Sequence, residues 1–248
     1  MLLTYLIFKN IKTILLTGAT SGIGKAIAFE LAAQGGYNLA LCGRDAEKMR
    51  LLAEKLENVV TTEPEVKIFA RTFDLTNEAD IIKFIYDVVK TLGTIDILIN
   101  CAGANTSRAH IEDLKTTDFE YMLKLNAIAP FIFIREIVPL LKAKKSGMVM
   151  NILSSACLYA TESAGGYTAS KTTLDAMAKV LRREMRPYNV RVCSVYPGGT
   201  DTPFRTNERP DYLKPKTVAT VVVNAINLPD EAAIDEIVVR SFVETNYR

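Results

Sequence analysis

Short apolar runs alternate with longer amphipathic segments along almost the whole of this 248-residue chain. The runs end at turn-forming residues, as buried strands do, and the segments between them space their apolar residues as helices do. Strands joined by helices of this length form right-handed crossovers within a parallel sheet. The alternation therefore predicts an α/β fold, a doubly wound Rossmann-type parallel sheet of about seven strands with helices on both faces. The expected strands are KTILLTG, NLALCG, VKIFARTFD, IDILINCAG, GMVMNILSS, VRVCSVYPG and IDEIVVRS.

No linker or internal repeat interrupts the alternation, so we expect a single domain over residues 1–248. Residues 1–10 precede the first expected strand, and their apolar stretch is too short to span a bilayer. That stretch has no basic segment before it and no small-residue cleavage site after it, unlike a signal peptide. We interpret it as an N-terminal extension packed on the surface, or as the product of a misassigned start codon.

The charge balance and the cysteines argue against two classes of function. The chain has 30 basic and 28 acidic residues, so it lacks the basic excess of a nucleic-acid-binding protein. Its 4 cysteines form no CxxC pair, and the single histidine, His110, cannot complete a zinc site with them. We therefore expect no metal site, and we interpret the cysteines as reduced thiols in a cytoplasmic protein.

The first expected strand is followed by the glycine-rich stretch TGATSGIG, residues 17–24. Such a strand-to-helix turn lets main-chain N–H groups approach a diphosphate, which then lies at the helix N-terminus. Gly18 suits the tight turn, Gly22 the close approach and Gly24 the packing of the helix. An ordinary βα turn is the alternative, and the position at the first such turn favours a dinucleotide. The residues predicted to contact the cofactor here are Gly18, Thr20, Ser21, Gly22, Ile23 and Gly24.

The end of the second expected strand, LCGRD, indicates which dinucleotide binds. An acidic residue near this position usually holds the ribose 2′-hydroxyl of NAD. This chain has Gly43 followed by Arg44, whose planar guanidinium can pair with the 2′-phosphate of NADP. We therefore predict NADP, with NAD as the lesser alternative. Asp45 would take the acidic role if the strand ended later, and Arg44 would then be a surface arginine.

Two further strand ends suit a bound nucleotide, because ligands of this fold lie beyond the carboxyl ends of the strands. Asp74 and Leu75 follow the third expected strand, where a carboxylate can accept a hydrogen bond from the adenine amino group. Asn100, Ala102 and Gly103 follow the fourth, where small residues let the main chain pass close to the cofactor.

The stretch YTASK brings Tyr167 and Lys171 to the same face of one helix, four residues apart. A free tyrosine has a pKa near ~10 and is a poor base at neutral pH. A nearby ammonium favours the phenolate, so the pair can give or take a proton. Ser154 closes the fifth expected strand and can hold a substrate carbonyl. Ser155 competes for that role, because strand alternation points only one of the two toward the cleft.

Asn126 lies inside a long helical stretch, where asparagine is a poor choice, and Pro130 follows four residues later. Proline has no N–H, so the main-chain carbonyl of Asn126 would be left free and the helix bent. A free carbonyl finds another partner, often water, which could extend a proton path from Lys171 to solvent. The alternative is a surface asparagine beside a kink.

Together these residues resemble the single-domain, NADP-preferring branch of the short-chain dehydrogenase/reductase (SDR) family. The resemblance covers nearly the whole chain from about Lys12, with the motifs in the family's order and spacing. They are TGATSGIG, NCAG, Asn126, Ser154, YTASK and PGGTDT. It implies a catalytic tetrad of Asn126, Ser154, Tyr167 and Lys171.

The resemblance also implies further contacts to the cofactor. Lys171 would bind the nicotinamide ribose, beside Tyr167. Thr200 and Thr202 would bind the nicotinamide side, after the turn at Pro197 and Gly198. This chain departs from the family in having Cys101 where a second asparagine is usual.

The function expected from these residues is an NADP-dependent oxidoreductase that acts on a small-molecule carbonyl or alcohol. A non-catalytic NADP-binding sensor or scaffold is the alternative, although such a role does not need Tyr167 together with Ser154. The family resemblance implies a homotetramer or homodimer packed through its long central helices. The charge balance and the short apolar stretch predict no nucleic-acid partner and no membrane span.

The substrate pocket is expected to draw on Leu158, Tyr159 and Ala160, and on a substrate loop at residues 203–215. Phe204 offers that pocket an apolar wall. Arg205 is a candidate ligand for a substrate carboxylate, with a solvated loop arginine as the alternative. Arg209 lies in a predicted surface turn, NERPD, and is discounted.

Overall fold

Seven parallel strands form the central sheet of the computed structural model, which describes residues 11–59, 66–204 and 208–245. Their order is β3-β2-β1-β4-β5-β6-β7, so the direction of winding reverses between β1 and β4. Ligands of doubly wound sheets bind outside the strand ends at such a reversal. The strands are β1 Lys12–Thr17, β2 Tyr37–Gly43, β3 Ile68–Thr72, β4 Ile97–Asn100, β5 Gly147–Ile152, β6 Val190–Pro197 and β7 Glu236–Val239.

Helices cover both faces of this sheet, as predicted. The apolar cluster on one face includes Ile27 and Leu52, and the cluster on the other includes Phe84 and Phe133. The helices of the first layer are α1 Gly22–Gln34, α2 Ala46–Glu57 and α7 Pro215–Ile226. Those of the second layer are α3 Glu78–Leu92, α5 Ala129–Lys144 and α6 Gly165–Met185, with α4 Thr116–Leu123 packed against α6.

The strands are apolar on both sides because both of their faces are covered. In β1, Leu15 packs into one apolar cluster while Ile14 and Leu16 pack into the other, and all three are fully buried. Burying one such side chain contributes about 1.5–3 kcal/mol relative to leaving it in water. This double burial accounts for the continuous apolar runs in the sequence.

The long helical stretch around Asn126 is interrupted by a π turn. Residues Lys124–Ile128 form this turn between α4 and α5, and the N–H of Ala129 donates to the carbonyl of Lys124. Pro130 follows at the start of α5, where its missing N–H is tolerated. The disturbance predicted from Pro130 therefore takes the form of one wider turn, a feature that is frequent at functional sites.

Residues 1–10 and Arg205, for which an N-terminal extension and a substrate contact were expected, lie outside the described residues. Within the described ranges, no helix combines the length and the apolarity that crossing a membrane requires.

Candidate active site

The glycine-rich turn joins the ends of three strands through main-chain contacts and through the hydroxyl of Thr17. Gly18 has a φ of +71°, and the N–H groups of Gly18 and Ala19 donate to the carbonyl of Cys42 at 2.9 and 3.2 Å. A Cβ on Gly18 would lie 2.8 Å from the Cα of Ala102, so only glycine fits. The hydroxyl of Thr17 accepts from the N–H groups of Cys101 and Ala102, both at 3.0 Å.

The N-terminus of α1 opens directly from this turn. Its N-cap residue, Ser21, is extended and makes no side-chain capping bond within the described structure, and the first turn of α1 carries no acidic side chain. The N–H groups of that turn are therefore available to an anion, which the helix dipole also favours. Thr20 packs against Gly43, since a Cβ there would lie 3.0 Å from the Thr20 methyl group.

The end of β2 separates the roles of Arg44 and Asp45. Asp45 is the N-cap of α2, where its carboxylate accepts from the N–H of Lys48 at 3.0 Å and pairs with the Lys48 ammonium at 3.1 Å. The hydrogen bond from that N–H is the main cause that lowers the pKa of Asp45. Arg44 is exposed, and its Nη1 lies 3.4 Å from the hydroxyl of Tyr121. This arrangement commits Asp45 to the helix and leaves Arg44 facing solvent.

Two of the residues predicted near the adenine and the sheet edge are partly committed elsewhere. The carboxylate of Asp74 is exposed and accepts from the N–H and the hydroxyl of Thr76, both at 2.9 Å. Leu75 is buried in the core. The side chain of Asn100 donates to Asn151 Oδ1 at 2.9 Å between β4 and β5, and both are buried. The Nδ2 group of Asn100 is therefore engaged within the sheet, while its buried Oδ1 makes no hydrogen bond within the described residues.

Lys171 is buried beneath the cleft, with 3% of its surface exposed. Its ammonium donates to the carbonyl of Ile152, at the end of β5, at 2.9 Å. A Cβ on Gly103 would lie 3.1 Å from Lys171 Nζ and 3.0 Å from Asn126 Oδ1, so this main chain passes directly beside both side chains. Burial lowers the pKa of Lys171, because the charged form loses its hydration.

The side chain of Asn126 connects three segments by hydrogen bonds. Its Oδ1 accepts from the N–H of Ala104 at 2.9 Å, and its Nδ2 donates to the carbonyl of Ala104 at 2.8 Å and to Ser170 Oγ at 2.9 Å. Ser170 Oγ in turn donates to the carbonyl of Tyr167 at 2.7 Å. The π turn, the segment after β4 and the first turn of α6 are thereby locked together. The spacing to Pro130 predicts a role for the main-chain carbonyl of Asn126 and does not indicate these side-chain bonds.

Tyr167 and Ser154 are both partly exposed at the surface of this framework. The Tyr167 ring packs at a tilt of 58° against Phe204, with the ring centres 5.8 Å apart. Ser154 begins a short 3₁₀ turn and accepts from the N–H of Ala156 at 3.1 Å. Ser155 is buried, so of the two serines it is Ser154 whose side chain is accessible.

The turn after β6 closes the cleft on the other side. A Cβ on Gly22 would lie 3.3 Å from Thr202, so the start of α1 and this turn are in contact. Gly198 donates to the carbonyl of Val239 at 2.7 Å, and Thr200 Oγ1 donates to the carbonyl of Gly198 at 3.1 Å. The N–H of Gly199 donates to the carboxylate of Glu244 at 2.7 Å. No local motif could have indicated Glu244, which lies 45 positions further along the chain.

The described part of the substrate side is mostly apolar or internally bonded. Leu158 and Phe204 are exposed apolar side chains. The guanidinium of Arg209 donates to the hydroxyl of Tyr212 at 2.8 Å and stacks over its ring at 5.0 Å. Arg209 is thus held by its own loop, which agrees with discounting it as an anion ligand.

Comparison with known proteins identifies the family of this fold. A family model described as short chain dehydrogenase matches residues 12–213. The 3-dehydrosphinganine reductase of Danio rerio is 28% identical over 235 residues, which cover 94% of this chain and 69% of that protein.

Two solved structures share nearly the whole architecture. The alcohol dehydrogenase of the archaeon Thermococcus sibiricus, complexed with 5-hydroxy-NADP, has a TM-score of 0.85 at 26% identity, covering 94% of this chain and 98% of that one. A metagenomic short-chain oxidoreductase in complex with NADP has a TM-score of 0.82 at 27% identity, covering 95% and 100%.

Proposed function

The chain belongs to the short-chain dehydrogenase family of oxidoreductases, and from this premise we propose that it transfers a hydride reversibly between NADP(H) and a carbonyl or secondary-alcohol substrate. One observation carries the proposal. A single hydrogen-bonded framework joins Asn126, Ser170 and the helical turn of Tyr167. Lys171 is buried next to it and donates to the carbonyl of Ile152, two residues before the partly exposed Ser154. A protein that only bound a nucleotide would not need this arrangement.

The proposed cofactor site runs along the strand ends. The glycine turn and the uncapped start of α1 would hold the diphosphate, and Arg44 the 2′-phosphate. Lys171 would hold the nicotinamide ribose, and Thr200 and Thr202 the nicotinamide side. The nicotinamide, when bound, supplies or accepts the hydride. The residues fit such a group because the first turn of α1 has neither a side-chain cap nor a carboxylate in the described structure.

Proton transfer is assigned to the chain's own side chains. Tyr167 gives its hydroxyl proton to the substrate carbonyl oxygen, or takes it back in the oxidative direction. Ser154 donates a hydrogen bond to the same oxygen and so orients the carbonyl. The Lys171 ammonium favours the Tyr167 phenolate. Asn126 holds the first turn of α6 in place, and its main-chain carbonyl would continue the proton path to solvent.

NADP is the preferred cofactor in this proposal. Arg44 is exposed at the end of β2, and the adjacent carboxylate of Asp45 is engaged in capping α2. Two of the structurally similar proteins are complexes with 5-hydroxy-NADP or NADP. These observations support a site for a 2′-phosphate over one for a free 2′-hydroxyl.

We further propose a cytoplasmic homotetramer or homodimer that takes a small-molecule substrate. Exposed apolar side chains on the π turn and on two long helices support an assembly between copies of the chain. They are Ile128, Phe131 on α5 and Val180 on α6. Sedimentation analysis tests this assembly, which a purely monomeric species at micromolar concentration would contradict.

The test of the function follows NADPH consumption with small keto acids, diketones, acetoacetyl thioesters and aromatic aldehydes. Tyr167→Phe should lower kcat/KM by about 10³-fold, the size of a lost general acid, while NADPH still binds. Tyr86→Phe, an exposed tyrosine on α3, is the matched control and should behave as wild type. Binding of NADPH without reduction of any carbonyl would favour the sensor interpretation.

A further inference from the structure

A turn follows β7 at residues 240–244, and we call it the C-terminal turn. The N–H of Glu244 closes this turn by donating to the carbonyl of Ser241 at 3.2 Å. Its last residue points inward. Glu244 is 8% exposed, and its Oε1 accepts from the N–H of Gly199 at 2.7 Å. A Cβ on Gly198 would collide with the same carboxylate. Glu244 therefore fills the space beneath the turn after β6.

Arg240, at the other end of the C-terminal turn, reaches the opposite wall of the cleft. Its Nε lies 3.5 Å from Glu244 Oε2, and its side chain is 12% exposed. The guanidinium stacks on the ring of Tyr159 with 4.7 Å to the ring centre. The N–H of Tyr159 donates to the carbonyl of Ser155 at 2.9 Å, so this contact acts on the segment that follows Ser154.

A third contact connects the C-terminal turn with the substrate loop. Ser241 Oγ donates to the carbonyl of Asp211 at 2.8 Å. The C-terminal turn thus contacts three segments that border the cleft: the turn after β6, the segment after Ser154 and the substrate loop.

A pair of buried charges is an expensive way to hold a fold together, because both ions lose their hydration. Replacing such a pair by apolar residues often leaves stability unchanged or higher, so stability alone does not explain it. Each member of this pair contacts a different wall of the cleft. The pair thus connects the turn after β6, which Glu244 contacts, with the Tyr159 segment, which Arg240 contacts.

We propose that Glu244 and Arg240 are positioning residues, with Glu244 fixing the turn after β6 for the cofactor and Arg240 fixing the Tyr159 segment for the substrate. The inference rests on the proposed function, because it assigns these segments to the cofactor and the substrate. It adds a pair of residues outside the family motifs that tune the two binding steps separately.

The first experiment titrates NADPH against the purified full chain, without a carbonyl substrate. Glu244→Ala removes the acceptor of the Gly199 N–H and should weaken NADPH binding about tenfold, as expected for one hydrogen bond to a charged group. Glu244→Gln keeps an acceptor of the same reach, so its affinity should stay within about threefold of wild type. Glu244→Asp keeps the charge but is one methylene too short, so it should resemble Glu244→Ala.

The expected ranking of NADPH affinities distinguishes a positioning role of Glu244 from a role of its charge and from a general effect on folding. The proposed contact would be wrong if NADPH affinity followed the charge at position 244. In that case Glu244→Asp would bind NADPH like wild type and Glu244→Gln would bind it like Glu244→Ala. The proposal would also be overturned if Glu244→Ala lowered the melting temperature but bound NADPH like wild type. If Glu244→Ala does not fold, the Gln and Asp variants decide by the same order. Glu54→Ala, in an exposed ion pair on α2, is the control and should change nothing.

The second experiment measures KM for whichever carbonyl the wild type reduces. Arg240→Met keeps an unbranched apolar stem, although a shorter one, and removes the charge and the cation–π contact. It should raise KM for the carbonyl several-fold and leave kcat and NADPH affinity near wild type, whereas an equal effect on both ligands would contradict separate roles. If the wild type reduces no carbonyl, the proposed function fails, while the NADPH titrations still decide the role of Glu244.

Discussion

The wall of the cleft made by the ends of β1, β2 and β4 is held by close main-chain contacts and by the hydroxyl of Thr17 within the glycine-rich stretch. The wall that follows β6 and β7 adds side-chain contacts between residues far apart in the sequence. On the first wall, two N–H groups of the glycine turn share the carbonyl of Cys42, and Ala102 approaches Gly18 closely. On the second, Glu244 holds Gly199, and Lys214 pairs with Asp201. Main-chain contacts require particular backbone shapes, so they leave a motif in the sequence. Side-chain contacts between distant residues leave none.

The two walls should therefore respond differently to substitution. On the proposed function, the first wall holds the diphosphate and the 2′-phosphate of the cofactor, which every substrate shares, and it admits little change. On the proposed function, the second wall combines the turn after β6, which contacts the cofactor, with Phe204, which borders the substrate. Only substitutions on its substrate side should alter which carbonyl is reduced more than whether one is reduced. Four variants test this difference.

Gly18→Ala should have the largest effect. It combines a left-handed backbone, which costs an L-residue about 1–2 kcal/mol, with a Cβ 2.8 Å from the Ala102 main chain. We expect NADPH affinity to fall about 100-fold, measured by fluorescence titration. Gly36→Ala has a similar φ of +78° but no atom within 4 Å of the new Cβ. It should lose stability without losing NADPH affinity, and an equal loss of affinity in both would refute the close-contact argument.

Arg44→Gln removes the guanidinium expected to pair with a 2′-phosphate. NADPH affinity should fall about 10- to 100-fold, the value of charge-assisted hydrogen bonds to one phosphate, and NADH affinity should not fall. Arg50→Gln on α2, an arginine already paired with Glu47 and Glu54, is the control. A parallel loss for NADPH and NADH would show that Arg44 does not read the 2′ position.

Lys171→Met should abolish turnover and yet raise the melting temperature of the cofactor-free protein by a few degrees, because a buried ammonium destabilises the fold. The folded-state pKa of Lys171 is lowered. The loss of folding stability caused by the charged Lys171 is therefore complete below that pKa. It disappears as pH rises toward the ordinary pKa of lysine. The difference between wild type and variant should narrow at alkaline pH, as scanning calorimetry can measure. A variant that is less stable at every pH would contradict this reasoning.

Phe204→Ala, on the second wall, should have the smallest and most selective effect. It removes the ring packed against Tyr167. We expect kcat/KM to change only a few-fold, with a larger change for apolar carbonyls than for polar ones, and NADPH affinity to remain unchanged. A uniform loss across all carbonyls would place Phe204 among the residues that hold Tyr167 instead of those that select the substrate.

The same contrast explains what could be predicted from the sequence. The parallel sheet and both helical layers follow from the alternation of buried runs and amphipathic segments, and the structure confirms them. The unusual position of Asn126 inside a helical stretch was visible in the sequence, and the role predicted for its main-chain carbonyl stays a prediction. The bonds from its side chain to Ala104 and Ser170 could not be predicted, because only the packed fold brings these residues close.

Two other residues show the limit of local reasoning. Asn100 was predicted to lie where the main chain passes close to the cofactor, and its side chain is bonded within the sheet to Asn151 on the neighbouring strand β5, a contact that the spacing did not indicate. Glu244 carried no signal, because a single glutamate near the end of a chain is ordinary until the fold sets it beneath Gly199. Contacts of this kind depend on tertiary packing and cannot be inferred from spacing.

The most direct test of the proposed reaction follows a deuterium label. NADPH deuterated at nicotinamide C4, on either face in separate samples, is incubated with the enzyme and a carbonyl that it reduces, and the alcohol is analysed by mass spectrometry. Hydride transfer predicts that one of the two samples gives an alcohol one mass unit heavier, with the label on the former carbonyl carbon. An unlabelled alcohol from both samples would contradict direct transfer from NADPH to the substrate.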